Sequence, residues 1–296
     1  MSTAREFFVE VETEDHLVLP GALIAPEDEN RDTVVLWLHG FGSSYDYSPC
    51  LRIGRVLAYS GISFMSISAR GYHGAVTAWQ RREDGWGTKK VGSWFEVFQE
   101  SALDITAWIE LARSLGYRRV VLAGHSFGGV KVASWLAGSQ VPIDGLILAS
   151  PSWGIETLEA ETTTLATAMV ARGDGAVLLP DGSWPRGFGT RTVSAQTYAS
   201  WAAAADLVFG RPADWQSRVV VPVLAFYGDS HDVGGTPELE RMTGLMASAG
   251  DVNTTILPGV THNYETGAET IADAITEWWR SRRESQLHHQ AIGGSQ

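Results

Sequence analysis

Residues Arg119-Val-Val-Leu-Ala-Gly124, followed at once by His125-Ser126-Phe127-Gly128-Gly129, read as a buried strand, a sharp turn and a helix running from Ser126 to about Gly138. The continuous apolar run fits a strand covered on both faces rather than one with a wet side. Gly124 and Gly128 keep the turn clear where a side chain would collide with neighbouring backbone. Ser126 then stands at the C-terminal edge of a sheet with a helix N-terminus beneath it, where free N–H groups favour developing negative charge.

Outward from this turn the chain alternates between strands and helices. Upstream, 6–12 and 16–24 suggest an antiparallel opening pair, Thr33 to His39 a second doubly buried strand, 47–60 a helix and 62–67 a strand. Arg70-Gly-Tyr-His-Gly74 reads as a turn-rich loop. Residues 93–115 carry apolar side chains at steps of three and four and end at Gly116, which predicts a helix. Downstream, 143–149, 219–227 and 253–257 read as strands, with helices near 236–249 and 264–282. Such alternation implies an α/β fold with a mostly parallel sheet and right-handed crossovers.

The rhythm breaks between Ser152 and Gln216, where helix-like 157–172 and 194–209 flank a Gly/Pro-rich stretch, 173–189. Structureless connections longer than roughly 15 residues are uncommon in compact domains, so 152–216 is expected to be a cap inserted into one core formed by 1–151 and 217–284. Only the tail, 285–296, looks compositionally loose, and it is expected to be disordered.

Composition narrows the function. Of 296 residues, 44% are hydrophobic and 19% charged, a balance that can bury a sizeable core. Thirty-four acidic against 22 basic side chains give a net charge of -12, which repels nucleic acid and anionic membranes unless a local basic patch overrides it. The one dense basic cluster, Arg280, Arg282 and Arg283, falls at a helix end, where cations face the helix dipole. Neither a nucleic-acid nor a membrane partner is expected. Cys50 is the single cysteine, so neither an intramolecular disulfide nor a cysteine-built zinc site can form. The N-terminus alternates and carries acids, without the unbroken apolar stretch of a secretory signal, and cytoplasmic residence is the expectation.

The G-x-S-x-G pattern between a strand and a helix is the context of a nucleophile elbow, with Ser126 as the nucleophile. A serine hydroxyl attacks poorly until a base takes its proton, and that base needs a partner to hold its tautomer. His262, in Leu257-Pro-Gly-Val-Thr-His262, lies in the loop after the last strand and is the candidate base. Phe226-Tyr-Gly-Asp229-Ser-His-Asp232 offers two candidate acids past the penultimate strand; Asp232, which suits a turn one residue longer, is the acid expected here, with Asp229, which suits a tighter one, as the alternative. His39-Gly-Phe-Gly42 supplies a glycine-rich turn after a buried strand, with His39 expected to brace the loop.

Strand-HGFG, strand-GHSFGG, strand-GDSHD and strand-PGVTH occur in the order and spacing of the α/β-hydrolase superfamily, which the chain resembles over about residues 6–284 apart from the insertion. The resemblance implies a serine hydrolase working through an acyl-enzyme, with no metal or organic cofactor and a small-molecule substrate. It also implies an oxyanion hole from the N–H groups of Phe41 and Phe127. The usual pattern places the acid three residues after the glycine, where this chain has His231; Glu156 is a third candidate, because some members carry their acid after the preceding strand. A carboxylic ester or lactone of a fairly apolar molecule is the expected substrate. Trp153, Trp184 and Trp201 are candidate pocket residues, because aromatic side chains make apolar walls. A carbon–carbon or amide hydrolase with the same residues and a non-catalytic hydrolase-fold receptor remain alternatives. The sequence leaves the oligomeric state open.

Overall fold

The computed structural model describes residues 4–28, 30–152, 155, 158–180, 192–209, 215–244 and 246–293, with backbone alone at 206, 207, 209 and 283–293. Eight strands form one sheet: β1 (Ala4–Glu12), β2 (Val18–Pro26), β3 (Thr33–Leu38), β4 (Ser63–Ile67), then β7 (Arg119–His125), β8 (Gly145–Ala149), β9 (Val223–Ser230) and β10 (Val252–Thr261). The spatial order is β1-β2-β4-β3-β7-β8-β9-β10, with β1, β2 and β4 paired antiparallel and every other pair parallel.

The central strands are apolar throughout because both sheet faces are covered. Val34, Leu36 and Leu38 of β3 join one core with Val120, Leu122 and Trp108, while Val35 and Trp37 join the other. The first core is covered by α2 (Ser101–Ser114), α3 (Phe127–Gly138) and two helices from between β8 and β9, α4 (Ala160–Ala171) and α5 (Ala195–Phe209). The second lies under α1 (Ser48–Tyr59) and α7 (Ala268–Gly293), through Ile53, Leu57, Ile271, Ile275 and Trp279. A short helix, α6 (Thr236–Thr243), connects β9 to β10. Among the described residues, no helix is long and apolar enough to cross a membrane.

Several boundaries depart from the sequence reading. The helix expected over 93–115 begins only at Ser101, after a single 3-10 turn at Phe98–Glu100. Residues 93 and 94 instead donate their N–H groups to the carbonyls of His73 and Gly74, and the buried Glu96 side chain pairs with Lys131. The stretch after Gly74 is a hairpin, β5 (Val76–Arg82) and β6 (Gly85–Val91). Its two-residue turn is Glu83-Asp84, and Gly85, at φ 122°, opens β6, a backbone angle that glycine takes without strain. β10 continues past Leu257 to Thr261 through a register irregularity containing Gly259 at φ 70°. α6 stops at Thr243, ahead of the expected 249, and α7 continues to Gly293 through most of the tail read as loose. That tail has neither glycine nor proline before Gly293, so nothing in its backbone chemistry interrupts the helix.

Candidate active site

β7, β9 and β10 all end at the C-terminal edge of the sheet, with β8 between β7 and β9, and each is followed within two residues by one polar side chain directed to the same place. Ser126 forms the corner between β7 and α3 with φ 52° and ψ −122°. A residue with a side chain holds such an angle only where its surroundings over-determine it. Here the Ser126 N–H donates to the Ala149 carbonyl and its own carbonyl accepts from Gly129, both at 3.0 Å. The corner also packs against the end of β3. A Cβ on Gly128 would lie 2.6 Å from the His39 carbonyl oxygen, and one on Gly40 would lie 2.9 Å from Ser126 Cβ.

Ser126 Oγ stands 3.0 Å from His262 Nε2, and His262 Nδ1 stands 2.7 Å from Asp232 Oδ1. The Asp232 side chain is 1% exposed and that of His262 17%. With a carboxylate at Nδ1, the imidazole proton sits there and Nε2 is left as an acceptor for the serine hydroxyl. Asp232 also accepts the Val233 N–H on Oδ1 at 2.7 Å, and the Ser150 hydroxyl and Gly228 N–H on Oδ2, each at 2.6 Å. Burial raises its pKa, but the hydrogen bonds from His262, Ser150, Gly228 and Val233 outweigh burial and hold the carboxyl below its ordinary value.

The route of the chain explains why this carboxylate, and not its neighbour, meets His262. β9 and β10 remain paired to Ser230↔Thr261, and His231 at φ 54° turns the chain so that Asp232 points back toward His262. Asp229 is exposed and accepts the Gly259 N–H at 2.8 Å, which holds the irregularity in β10. Glu156, with Trp153 and Trp184, lies outside the described residues.

Two further histidines are buried around the site. His39 donates from Nδ1 to the Gly40 carbonyl at 2.8 Å and accepts the Ala69 N–H on Nε2 at 3.2 Å. Burial, helped by the charge of Lys131, lowers its pKa to about 3, so it stays neutral and braces the loop. His125 donates from Nε2 to the His262 carbonyl at 2.8 Å, and its ring lies 4.5 Å from that of Tyr264. Its pKa is likewise lowered to about 3, by burial and then by the nearby His262. Both rings fix backbone next to Ser126 and His262.

The sequence reading missed the support of Asp232. Ser150, buried at φ 46° directly after β8, donates to Asp232 and accepts from the Tyr264 hydroxyl at 3.0 Å. Its placement at the end of the strand beside β7 was the available signal.

In front of Ser126 opens a cleft of ≈ 600 Å³, lined on one side by Gly40, Phe41 and Gly42 and elsewhere mainly by polar residues, among them Ser43, Asp46, Ser48, His73 and Asn263. Trp201 is 1% exposed and is not among the residues lining this cleft. It packs edge-on against Phe41 and Phe127, with ring centroids 5.9 and 5.6 Å away, and so backs the wall rather than forming it. Phe127 opens α3, where its N–H has no acceptor within the helix. Among the described residues, no group of three or more His, Cys, Asp or Glu could hold a metal ion.

The model of the Alpha/beta hydrolase family matches residues 35–274. A phospholipase of Bacillus subtilis, YtpA, is 37% identical over 71 residues, which span 24% of this chain and 27% of that protein. Among solved structures, Est1E from Butyrivibrio proteoclasticus is 17% identical and superposes with TM-score 0.63 over 95% of this chain and 99% of its own. The Pyrococcus furiosus esterase Pf2001, 16% identical, superposes with TM-score 0.58 over 94% of this chain and 91% of its own. Likeness at these identities establishes a shared fold.

Proposed function

The chain belongs to the Alpha/beta hydrolase family, and we propose that it is a serine esterase cleaving a carboxylic ester or lactone of a fairly apolar small molecule through an acyl-enzyme. The observation that carries this reading is the line Ser126 Oγ, His262 and Asp232 with steps of 3.0 and 2.7 Å. His262 takes the Ser126 proton as Oγ attacks the ester carbonyl and then passes it to the leaving alcohol oxygen. A water activated by the same histidine releases the acid. Asp232 holds the tautomer and stabilises the imidazolium. The N–H groups of Phe41 and Phe127 receive the developing oxyanion, and Phe41 lies in the cleft beside an apolar acyl group. The named activities of the phospholipase and the Pyrococcus esterase agree with ester cleavage.

Intact-protein mass spectrometry after exposure to a fluorophosphonate tests the mechanism. The expected result is one adduct, absent in Ser126→Ala, with p-nitrophenyl ester turnover lost in both Ser126→Ala and His262→Ala. A folded protein that takes up no adduct and turns over no ester overturns it.

A further inference from the structure

The leaving oxygen of an ester must receive its proton from His262 Nε2, so the alcohol portion of the substrate lies on the His262 side of Ser126. Asn263 follows His262 directly, and the Tyr47 hydroxyl donates to its carbonyl at 3.1 Å, which brings the segment Ser43–Ser48 to that wall of the cleft. This wall is polar. Among the described residues, the hydroxyls of Ser43 and Ser48 and the ring nitrogens of His73 have no hydrogen-bond partner within the protein, while Asp46 accepts the Ser44 hydroxyl on one oxygen only. Neither lysine nor arginine is among the residues lining the cleft.

We infer that this wall is a subsite for the alcohol half of the substrate, and that the preferred substrates are esters of neutral polyhydroxylated alcohols, such as glycerol or a sugar. The inference rests on the esterase reading above and narrows it. An alkyl leaving group filling the cleft strips water from Ser43, Ser48, His73 and Asp46 without replacing its hydrogen bonds, whereas hydroxyl groups replace them. Each polar group that a bound alkyl chain covers without replacing its hydrogen bonds costs up to roughly tenfold in an equilibrium. A phosphate-bearing alcohol satisfies donors but meets the Asp46 carboxylate with no cation in the lining to offset it, which disfavours anionic head groups.

The test uses the full chain and three octanoyl esters: of glycerol, of ethanol and of glycerol phosphate. p-Nitrophenyl octanoate serves as a reporter of hydrolysis as such. The expected kcat/KM for the glyceryl ester exceeds that for the ethyl ester and for the phosphate-bearing ester by about tenfold or more. His73→Phe and Ser43→Ala lower the glyceryl-to-ethyl ratio, and Asp46→Asn raises the phosphate-to-glyceryl ratio at least threefold; Asp46→Ser serves should the asparagine variant not fold. Equal rates for the glyceryl and ethyl esters, or ratios unmoved in folded variants, overturn the inference while p-nitrophenyl turnover keeps the esterase reading intact. Loss of turnover on all four esters in the unmodified protein overturns the esterase reading and this inference with it.

Discussion

Replacing Asp232 with asparagine keeps the shape of the side chain and turns one acceptor oxygen into a donor. Each oxygen of the carboxylate now faces two donors: Oδ1 meets His262 Nδ1–H and the Val233 N–H, and Oδ2 meets the Ser150 hydroxyl and the Gly228 N–H. The Ser150 oxygen is already an acceptor for Tyr264, which commits its proton to Asp232. An amide nitrogen on the Oδ2 side therefore confronts the Gly228 N–H across 2.6 Å. On the Oδ1 side it confronts the Val233 N–H and drives His262 to the tautomer with its proton on Nε2, where it can no longer accept from Ser126. The Oδ2 placement opposes two donors, the Ser150 hydroxyl and the Gly228 N–H, and the Oδ1 placement only the Val233 N–H, so the amide nitrogen settles on the His262 side, at about 1–3 kcal/mol of stability. Wrong-tautomer histidine lowers kcat by about 10⁴-fold, or about 5.5 kcal/mol of barrier. Initial rates on p-nitrophenyl butyrate, with thermal melting followed by circular dichroism, read both effects. Asp229→Asn is the control: that exposed carboxylate serves the Gly259 N–H and Ser230 hydroxyl, so its kcat is expected to stay within about threefold of wild type. A folded Asp232→Asn variant with kcat within tenfold of wild type, or an equal loss in Asp229→Asn, refutes the assignment.

Acid should weaken the fold through its buried histidines. His39 and His125 titrate at about 3 in the native state and at about 6.5 when unfolded, so between those values only the unfolded chain takes up the protons and stability falls as pH falls. At pH 5 each ring removes about 2 kcal/mol relative to neutrality; urea unfolding at pH 7.5 and 5.0 measures it, and a total loss under about 1 kcal/mol contradicts it. Arg70 is buried against Asp104, which its Nη2 meets at 2.8 Å, and also pairs with Asp15 and Glu100. Arg70→Ala leaves Asp104 buried and uncompensated and is expected to cost about 3–5 kcal/mol in denaturant midpoint experiments; a loss under 1 kcal/mol is inconsistent with that role. Lys131 and Glu96 form a second buried pair at 2.5 Å. Lys131→Met alone should destabilise by a similar amount, while the double variant Lys131→Met/Glu96→Leu should recover most of it; an additive double-mutant cycle argues against the pairing.

How much of the fold was legible follows from what each segment buries. Val34 to Leu38 and Val120 to Ala123 are apolar at every position because helices cover both faces, and that pattern needs no knowledge of partners. The hairpin β5–β6 was hidden because its pattern is not apolar: Trp79 and Trp86 are exposed, and only Ala78 and Val91 are buried. Residues 93–100 mimic helix periodicity, with Phe95 and Phe98 buried, yet their first N–H groups are taken by the Arg70–Gly74 loop. Local periodicity cannot report a hydrogen bond made to a segment twenty residues away.

The site divides along the same line. Ser126 was legible because its own neighbours impose the corner, with Gly124 and Gly128 spaced around it. Asp232 was legible only as one of three carboxylates, because its place depends on how far β9 and β10 stay paired before the chain turns at His231. The irregularity in β10 around Gly259 sets that distance, and Asp229 holds the Gly259 N–H in it. The two acids first read as rivals therefore act in sequence: Asp229 fixes the course of β10, which fixes His262, and Asp232 then meets His262. If so, Asp229→Ala should displace His262 more than it alters the fold, lowering kcat moderately while Asp229→Asn, whose amide oxygen still accepts from Gly259, restores it. A parallel measurement of kcat and melting temperature in the two variants separates this from a surface carboxylate without a role, for which both variants match wild type.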